Sequence, residues 1–443
     1  MAPSPTGYLH VGNARTFLYN WYFARQQGGT VILRIEDTDA ERHIEDAIQV
    51  IRDGMRWLGT DWDEEHRQSE LAPKHTAAAE RLVDGGHTYW CACTREEVDA
   101  RAKERGGPPG YDGFCRDRGV ERGPGRALRF RTPDDGVVVV PDVVRGNPSF
   151  ECKLIEDFVI LRGDGSPLFL LANVVDDGEM GITHIIRGED HLSNTPKQLL
   201  LWDALGYGER PVYAHLPMMV NEKRQKLSKR RDPVVVSSYR EEGYLPSAFA
   251  NYLSLVGWGP ADGRERMTLE EMRDAFRLDD VSSSPGFFDV KKLRAFNGDA
   301  IRDLPVDDFV REVLLFLPNE IDVSVLAALA PELQTRVAVL TEAAPLVRFT
   351  FEEPAPAASA FKAGAAEVLA GAPSVLETVE WRAEEIESAL RGWGDSHDPP
   401  LKVQAPLRLA ISGETKGLPL GTMLEVLGRE KAIERVRLSL IHI

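Results

Sequence analysis

Two short segments carry side chains suited to binding the phosphates of a nucleotide. The first, residues 3–13 with the sequence PSPTGYLHVGN, places His10 and Gly12 where a proline-rich loop enters a helical pattern. Free backbone N–H groups at the start of a helix attract anions, an imidazole can donate to phosphate oxygens, and Gly12 lets a ligand approach the backbone. Taken alone, this segment is equally compatible with a plain turn that carries a surface histidine.

The second segment, KLSKR at residues 226–230, supplies cations. Lys226 and Lys229 bracket Ser228 in a stretch too polar for a strand and too short for a helix, which predicts a mobile loop. When pyrophosphate leaves the α-phosphate of ATP, negative charge develops on the leaving group, and flexible ammonium groups stabilise it. A basic loop alone is usually solvated surface. In combination with the first segment and alternating strands and helices, it predicts adenylyl transfer.

Both segments resemble the HIGH and KMSKS signatures of class I aminoacyl-tRNA synthetases, and the chain resembles the glutamyl branch of that class over nearly its whole length. The branch is indicated by LRIEDTD at 33–39, ANVVDD at 172–177, IIRGEDH at 185–191, and further matches at 243–246, 251–253, 257–258 and 410–430. The resemblance implies an α/β fold. Its parts are a Rossmann-like doubly wound parallel sheet, an inserted α+β acceptor-binding module and an all-α anticodon-binding region.

The activity implied by this resemblance is glutamate–tRNA ligation. ATP, accompanied by Mg²⁺, activates L-glutamate as glutamyl-adenylate, and the glutamyl group passes to the 3′ end of tRNA(Glu); whether tRNA(Gln) is also charged stays open. Two alternatives remain. One is a glutamyl-queuosine tRNA(Asp) ligase, which lacks the C-terminal helical region, and the other is a non-catalytic tRNA-binding paralogue.

The resemblance also assigns roles to individual positions. The catalytic residues are His10, Lys226 and Lys229. The ATP-binding residues are Thr6, Gly7, His10, Gly12, Asn13, Lys226, Leu227, Ser228, Lys229 and Arg230. The glutamate-binding residues are Ser4, Glu36, Phe169, Asn173 and Arg187.

Within the amino-acid site, Glu36 receives the substrate ammonium and Arg187 receives the side-chain carboxylate. The alternative for Arg187 and Glu189 is an ordinary ion pair between neighbouring elements. Two positions depart from the usual pattern. Phe169 stands where the family usually has a tyrosine, and Asn13 stands where the general signature has a second histidine.

Three of the four cysteines, Cys91, Cys93 and Cys115, are clustered in the sequence, which suits metal binding in a reducing compartment better than a disulfide framework. A structural zinc needs a fourth ligand. Tyr111 has the Tyr-x3-Cys spacing seen in some relatives, and His87 is the substitute; three buried cysteines without metal are the other interpretation. Core positions are expected for Cys152, His184 and His215.

The formal charge of −17 over 443 residues requires that an RNA-binding chain concentrate its basic groups on one face. One dense basic region is a candidate for RNA contact, with a solvated arginine surface as the alternative: Arg101, Lys103, Arg105, Arg116, Arg118, Arg122, Arg126, Arg129 and Arg131. There is no leading apolar segment and no apolar run long enough to span a bilayer, so we expect a soluble, cytoplasmic protein without a membrane partner. The resemblance implies a monomer.

The predicted organisation has five parts. These are a first catalytic half (1–86), the inserted module with the possible zinc site (87–180), a second catalytic half with the lysine loop (181–235), a helical stem-contact region (236–305) and an all-helical anticodon-binding domain (306–443). The resemblance also implies a short strand ending in an arginine ahead of Ala2, so we expect a truncated start. The tail at 438–443 breaks the charged helical pattern, and we expect it not to be native.

Overall fold

The computed structural model describes residues 1–5, 7–38, 45–106, 110–228 and 231–441. Tertiary contacts divide the chain into two compact units, Met1–Ser238 with Phe249–Asp289, and Tyr239–Ala248 with Val290–Ile443. The division cuts across the predicted stem-contact region at 236–305. The five-part organisation itself stays a prediction.

The helices are α1 (Val11–Gln26), α2 (Glu45–Trp57), α3 (Ala72–Asp84), α4 (Arg95–Glu104), α5 (Phe169–Glu179), α6 (Thr195–Leu205), α7 (Val236–Glu241), α8 (Pro246–Ser254), α9 (Leu269–Ala275), α10 (Val290–Asp303), α11 (Val306–Leu314), α12 (Val323–Gln334), α13 (Ala343–Val347), α14 (Ala365–Thr378), α15 (Ala383–Asp395), α16 (Gln404–Ser412), α17 (Leu420–Leu427) and α18 (Arg429–Ile441). The strands are β1 (Ile32–Ile35), β2 (Glu64–Arg67), β3 (Thr88–Cys91), β4 (Ala127–Phe130), β5 (Val137–Val139), β6 (Ser149–Glu151), β7 (Val159–Leu161), β8 (His184–Gly188), β9 (Val212–Leu216), β10 (Met219–Val220) and β11 (Gly286–Phe287).

Parallel strand pairing organises the first unit, as the α/β prediction requires. β1 pairs with β2, β8 with β9, and β10 with β11, each in parallel register. Among the described residues these pairs form separate two-stranded ladders rather than one continuous doubly wound sheet. Between the parallel strands lies an antiparallel insertion, in which β4 pairs with both β3 and β7, and β5 pairs with β6.

Helix α1 forms because its apolar side chains recur on one face. All five residues of this face are buried: Ala14, Phe17, Leu18, Trp21 and Tyr22. The helix packs against β8 and α9. This buried stripe fixes the position of the helix start, where the phosphate-binding loop ends.

The second unit is all-helical from α11 to α18 in its described part, which confirms the predicted helical C-terminal region. Its core is built from apolar faces of these helices, with fully buried leucines such as Leu333, Leu369, Leu390 and Leu424. No helix among the described residues is both long enough and apolar enough to cross a membrane.

One buried arginine joins three segments of this second unit. Arg435 of α18 donates from Nη1 to the carbonyl oxygens of Phe349 (2.6 Å) and Ile411 (3.0 Å), and from Nη2 to that of Glu352 (3.0 Å). We expect Arg435→Met to lower the free energy of unfolding of this unit by roughly 2–4 kcal/mol, because three carbonyl groups lose their donor. Urea unfolding followed by far-UV circular dichroism measures the change.

The matched control is Arg437→Met, two residues further along the same helix. Arg437 is exposed and forms a 2.8 Å ion pair with Glu377, and an exposed pair contributes less than about 1 kcal/mol. Equal losses for the two variants would contradict the structural role of Arg435.

Candidate active site

His10 caps the amino-terminal end of α1. Its backbone is extended, and its Nδ1 accepts the N–H of Gly12 at 3.0 Å. A neutral ring held in this way carries its proton on Nε2, so Nε2 is the nitrogen able to donate to a phosphate oxygen. A Cβ on Gly12 would lie 3.3 Å from Nδ1. A side chain at this position would therefore press on the His10 ring, while the predicted approach of a ligand to Gly12 stays a prediction.

The loop that leads to His10 is hydrogen-bonded along both of its edges. On one side, Glu36 N donates to the carbonyl oxygen of Pro3 at 2.9 Å. On the other side, Val11 N donates to Val234 O at 2.9 Å, and Val236 N donates to Leu9 O at 3.0 Å. The segment 3–11 thus connects β1 to the chain that follows the lysine loop.

Several predicted nucleotide contacts lie on this segment. Ser4 is exposed directly after the bonded Pro3, and Gly7 adopts a φ of 147°, a backbone conformation that favours glycine. Asn13 is exposed in the first turn of α1. Thr6 lies outside the described residues.

A buried leucine and an aspartate hold the lysine loop. Leu227 is buried, and its N–H donates to Met219 O at 3.1 Å. Asp232 Oδ2 accepts the N–H of Ser228 at 2.9 Å, while Ser228 O accepts the N–H of Asp232 at 3.0 Å. The hydrogen bonds from Ser228 N–H and from the amide of Asn221, with smaller effects of Arg231 and His10, hold the pKa of Asp232 below its usual range.

Lys226 is exposed, with its Nζ 3.8 Å from Asp190 Oδ2. An ammonium in so loose an exposed pair is available to a bound anion. Lys229 and Arg230 lie outside the described residues, so their predicted roles stay predictions. The predicted mobility of the loop likewise stays a prediction.

A buried acidic cluster surrounds Arg34, whose side chain points from β1. The guanidinium lies 2.8 Å from Asp177 Oδ1, 3.5 Å from Glu36 Oε1 and 3.6 Å from Asp176 Oδ2. Burial raises the pKa of Glu36 to about 7, with Asp177 adding to the rise and Arg34 opposing it. Glu36 Oε1 is buried and has no hydrogen-bond donor among the described residues. Three carboxylates share one guanidinium here, which leaves an oxygen able to receive a cation.

Buried polar groups support this cluster from α3, α5 and the short helical turn at Gln68–Leu71. Gln68 Nε2 donates to Asn173 Oδ1 at 2.9 Å and to Asp176 Oδ2 at 2.7 Å. His75 Nε2 lies 2.7 Å from the other oxygen of Asp176. Asn173, a predicted glutamate contact, is linked to Glu36 through Gln68, Asp176 and Arg34. The two predicted positions thus belong to one network.

Arg187 lies on β8 with its guanidinium largely occupied by neutral groups. Nε faces His215 Nε2 at 3.2 Å, and Nη2 donates to Thr195 Oγ1 at 2.8 Å and to Gln198 Oε1 at 2.6 Å. In the part of the chain that the structure describes, no carboxylate lies within ion-pair distance of Arg187, and Nη1 has no hydrogen-bond partner. Burial lowers the pKa of Arg187, whereas Tyr213, Asp177 and Glu36 oppose the change.

The alternative interpretation, an ordinary ion pair between neighbouring elements, holds for Glu189 but not for Arg187 among the described residues. Glu189 pairs with Arg145 and accepts the N–H of Met218 at 2.7 Å. The cause is tertiary, because Arg145 arrives from the inserted module and occupies the carboxylate. Among the described residues, the Nη1 end of Arg187 is left without a partner.

Phe169 begins α5, and its ring centroid lies 5.6 Å from that of His191. His191 Nδ1 is buried and has no hydrogen-bond partner among the described residues. Burial lowers the pKa of His191, and the guanidinium of Arg187 lowers it further.

The three clustered cysteines converge as their spacing predicts. The sulfur atoms of Cys91, Cys93 and Cys115 lie within 4.8 Å of one another. The hydroxyl oxygen of Tyr111 is 3.5 Å from Cys91 Sγ and accepts the N–H of Cys115 at 2.7 Å. Burial, contact with Cys115 and the electrostatic effect of Cys91 raise the pKa of Cys93 to about 12.

His87 is not the fourth member of the cysteine cluster. Its ring stacks on Phe130 at 6.4 Å, and it is absent from the group of metal-binding side chains around the cysteines. The reason is geometric, since His87 precedes β3 whereas Cys91 ends it, and a strand rises about 3.3 Å per residue. Cys152 is a buried core residue, as predicted.

The basic region of the inserted module is less cationic than the sequence predicts. Arg101 and Arg105 both pair with Asp112, and Arg116 pairs with Asp157. Further ion pairs join Arg122 to Glu80 and Arg131 to Asp117. Arg129 is buried. Contact of this region with RNA stays a prediction. Because several of its arginines are paired with carboxylates, fewer uncompensated positive charges support that prediction than the sequence suggests.

The two histidines predicted to lie in the core differ. His215 is fully buried, and its Nδ1 contacts Asp142 while its Nε2 contacts Thr195. It is therefore a satisfied core histidine, as predicted, but it also touches Arg187. His184 is only partly buried and packs against Phe23, with ring centroids 4.5 Å apart.

The matched families agree with this arrangement. Residues 1–295 match the family described as tRNA synthetases class I (E and Q), catalytic domain, and residues 308–440 match the anticodon binding domain. The glutamate–tRNA ligase of Frankia casuarinae is 52% identical over 98% of this chain and 96% of its own length. That of Salinispora tropica is 50% identical over 100% and 99%.

Among solved structures, the chain is similar to a glutamate tRNA ligase from Elizabethkingia meningosepticum crystallised in complex with its amino acid. The TM-score is 0.87 at 29% identity, covering 99% of this chain and 98% of that one. The chain therefore belongs to the E and Q family of class I tRNA synthetases, with a catalytic domain followed by an anticodon-binding domain.

Proposed function

We propose that this protein is a glutamate–tRNA ligase, which activates L-glutamate with ATP and transfers it to the 3′ end of tRNA(Glu). The observation that carries the proposal is the double anchoring of the segment 3–11. One edge is bonded to the strand that ends beside Glu36, and the other is bonded to the chain next to the lysine loop. The segment therefore brings amino-acid and nucleotide contacts together.

The charges of the pocket suit an amino acid with an acidic side chain. The cluster around Arg34 has surplus negative charge and a buried Glu36 oxygen without a donor, which suits the substrate ammonium. Arg187 offers its Nη1 hydrogens to the side-chain carboxylate. Ser4 and Asn173 add hydrogen bonds, and Phe169 contributes an apolar wall in place of the hydroxyl that a tyrosine would supply.

The nucleotide contacts then act by orientation and charge compensation. A carboxylate oxygen of glutamate attacks the α-phosphate of ATP, and the bond to pyrophosphate breaks. His10 and the start of α1 hold the phosphates, while Lys226 and Lys229 stabilise the charge on the departing pyrophosphate. Mg²⁺ accompanies ATP and neutralises part of its phosphate charge. The terminal ribose of tRNA attacks the adenylate carbonyl, and AMP leaves.

The cysteine cluster suits one structural zinc ion. Cys91, Cys93 and Cys115 would supply three thiolates, and Tyr111, whose hydroxyl oxygen is 3.5 Å from Cys91 Sγ, would be the fourth ligand. The ion would join β3 to the loop at 111–115, and so stiffen the inserted module that is proposed to hold the tRNA acceptor end.

Aminoacylation with labelled glutamate tests the ligase proposal directly. We expect charging of tRNA(Glu), and we expect Lys226→Ala to lower kcat about 100-fold, as loss of one preorganised charge at a reacting group does. The control is Lys223→Ala, an exposed lysine three residues earlier, for which kcat stays unchanged. Transcripts of tRNA(Gln) and tRNA(Asp) are compared in the same assay.

Each outcome separates the alternatives. Charging of queuosine-containing tRNA(Asp) in place of tRNA(Glu) would favour the glutamyl-queuosine ligase, although the matched anticodon binding domain at 308–440 argues against it. Binding of tRNA without any charging would contradict the ligase proposal and favour the non-catalytic paralogue.

The raised pKa of Glu36 predicts a pH dependence of glutamate binding. Below about pH 7 the buried carboxyl is protonated and offers no charge to the ammonium, so the KM for glutamate should fall as the pH rises through this value. Glu36→Gln should raise the KM and flatten its pH profile between about pH 6 and 8. The control is Glu64→Gln, exposed on the neighbouring β2, which should keep the wild-type profile.

Metal analysis tests the zinc site. We expect about one zinc ion per purified chain and nearly none in Cys115→Ser, because a tetrahedral site does not tolerate loss of a thiolate. Cys152→Ser, a buried cysteine outside the cluster, should keep its zinc. Metal-free native protein whose thermal stability is unaffected by chelators would contradict the site.

A further inference from the structure

A buried aspartate and histidine contact the arginine of the proposed amino-acid site. Asp142 follows β5 and His215 lies on β9, and both side chains are fully buried. Asp142 Oδ1 accepts the backbone N–H groups of Val144 at 2.9 Å and Arg145 at 2.8 Å, while its Oδ2 contacts His215 Nδ1. On the opposite side of the ring, His215 Nε2 stands 3.2 Å from Arg187 Nε.

The protonation states follow from these contacts. Burial disfavours ionisation of Asp142, but the His215 ring and two backbone N–H groups more than compensate, so its pKa lies below the usual range. Burial lowers the pKa of His215, and the neighbouring guanidinium of Arg187 lowers it further. An ionised Asp142 beside a neutral His215 requires the ring proton on Nδ1, which leaves the Nε2 lone pair facing the Nε–H of Arg187.

These contacts leave Arg187 one direction in which to bind an anion. Nε is held by His215, and both hydrogens of Nη2 are directed at Thr195 and Gln198. Among the described residues only Nη1 lacks a partner. A guanidinium held along this edge cannot turn its plane, so its free end keeps a fixed orientation.

We propose that Asp142 and His215 are positioning residues for glutamate binding. Asp142 selects the His215 tautomer that accepts the Arg187 Nε–H, and this bond sets the guanidinium plane that presents Nη1 to the side-chain carboxylate. The proposal deepens the proposed function and rests on it for the identity of the substrate.

The first test is Asp142→Asn in the full-length chain. The amide oxygen can still accept the N–H groups of Val144 and Arg145, but the amide NH₂ faces His215 Nδ1. The ring then takes the other tautomer and directs an Nε2–H at the Nε–H of Arg187. We expect the KM for glutamate in tRNA charging to rise about 10- to 100-fold, the effect of a lost hydrogen bond to a charged group, with the KM for ATP unchanged.

The matched control is Asp134→Asn in the same inserted module, where the carboxylate is exposed and forms an ion pair with Arg116. Both KM values should stay at their wild-type level. Asp142→Asn with an unchanged KM for glutamate, or with equal increases in both KM values, would overturn the positioning role.

A second variant separates positioning from general damage to the fold. In the double variant Asp142→Asn/His215→Gln, the side-chain oxygen of glutamine can accept the Nε–H of Arg187. Glutamine has no tautomers, so this bond does not depend on residue 142. We expect the double variant to recover part of the affinity for glutamate that Asp142→Asn loses. If both residues were merely structural, the second core substitution would add to the loss, and that result would overturn the proposal.

The tautomer itself can be measured in the unaltered protein. With ¹⁵N-labelled histidine, the His215 resonances, assigned by their loss in His215→Gln, should show a protonated Nδ1 and an unprotonated Nε2. A protonated Nε2 would overturn the proposal even if the variants fail to fold. The tautomer measurement needs no substrate, so it is independent of the proposed function. Absence of tRNA charging by the wild-type chain would contradict the proposed function, whereas the observed tautomer would still show whether His215 Nε2 accepts the Nε–H of Arg187.

Discussion

The arrangement of the site depends on main-chain hydrogen bonds to both edges of the segment 3–11. Pro3 is bonded to Glu36 on one side, and Leu9 and Val11 are bonded to Val236 and Val234 on the other. These bonds do not depend on side-chain identity, so they hold the loop wherever its sequence permits the required turns. The buried stripe of α1 then fixes the loop at its far end. One short segment joins the helix cap at His10, the acidic cluster around Arg34 and the lysine loop, so these three parts of the site keep their distances from one another.

The second feature that governs the site is buried charge. An ionised group taken out of water costs several kcal/mol unless its partners restore that energy, and the Arg34 cluster has three carboxylates for one guanidinium. Around Arg187 the uncompensated charge is positive, because the described hydrogen-bond partners of its guanidinium are neutral. Each of these charge imbalances raises the free energy of the ligand-free protein, and a ligand that carries both charges can remove that cost. An ammonium at Glu36 and a carboxylate at Arg187 would do so together.

Local sequence patterns were sufficient for the elements that depend on nearby residues. The helical pattern that begins after His10 and the convergence of three cysteines follow from periodicity and spacing. The helical C-terminal region is equally visible in its apolar periodicity, and the resemblance correctly indicated the family.

Features that depend on distant partners escaped sequence reasoning. Gln68, His75 and Asp142 act through contacts with residues 70 to 110 positions away, and nothing in their local sequence marks them. Arg34 and Asp177 belonged to recognised motifs, yet their pairing was not foreseen. The arginine-rich module looked cationic for the same reason, since Asp157 and Glu80, which neutralise part of it, lie elsewhere in the chain.

The central claim is that one pocket recognises both ends of free glutamate, and calorimetric titration with analogues tests it most directly. L-Glutamate offers the ammonium and both carboxylates, glutarate lacks the ammonium, and L-2-aminobutyrate lacks the side-chain carboxylate. The account predicts that L-glutamate binds at least about tenfold more tightly than either analogue, because each leaves one charged group without its partner. Equal affinity for L-glutamate and either analogue would contradict the claim.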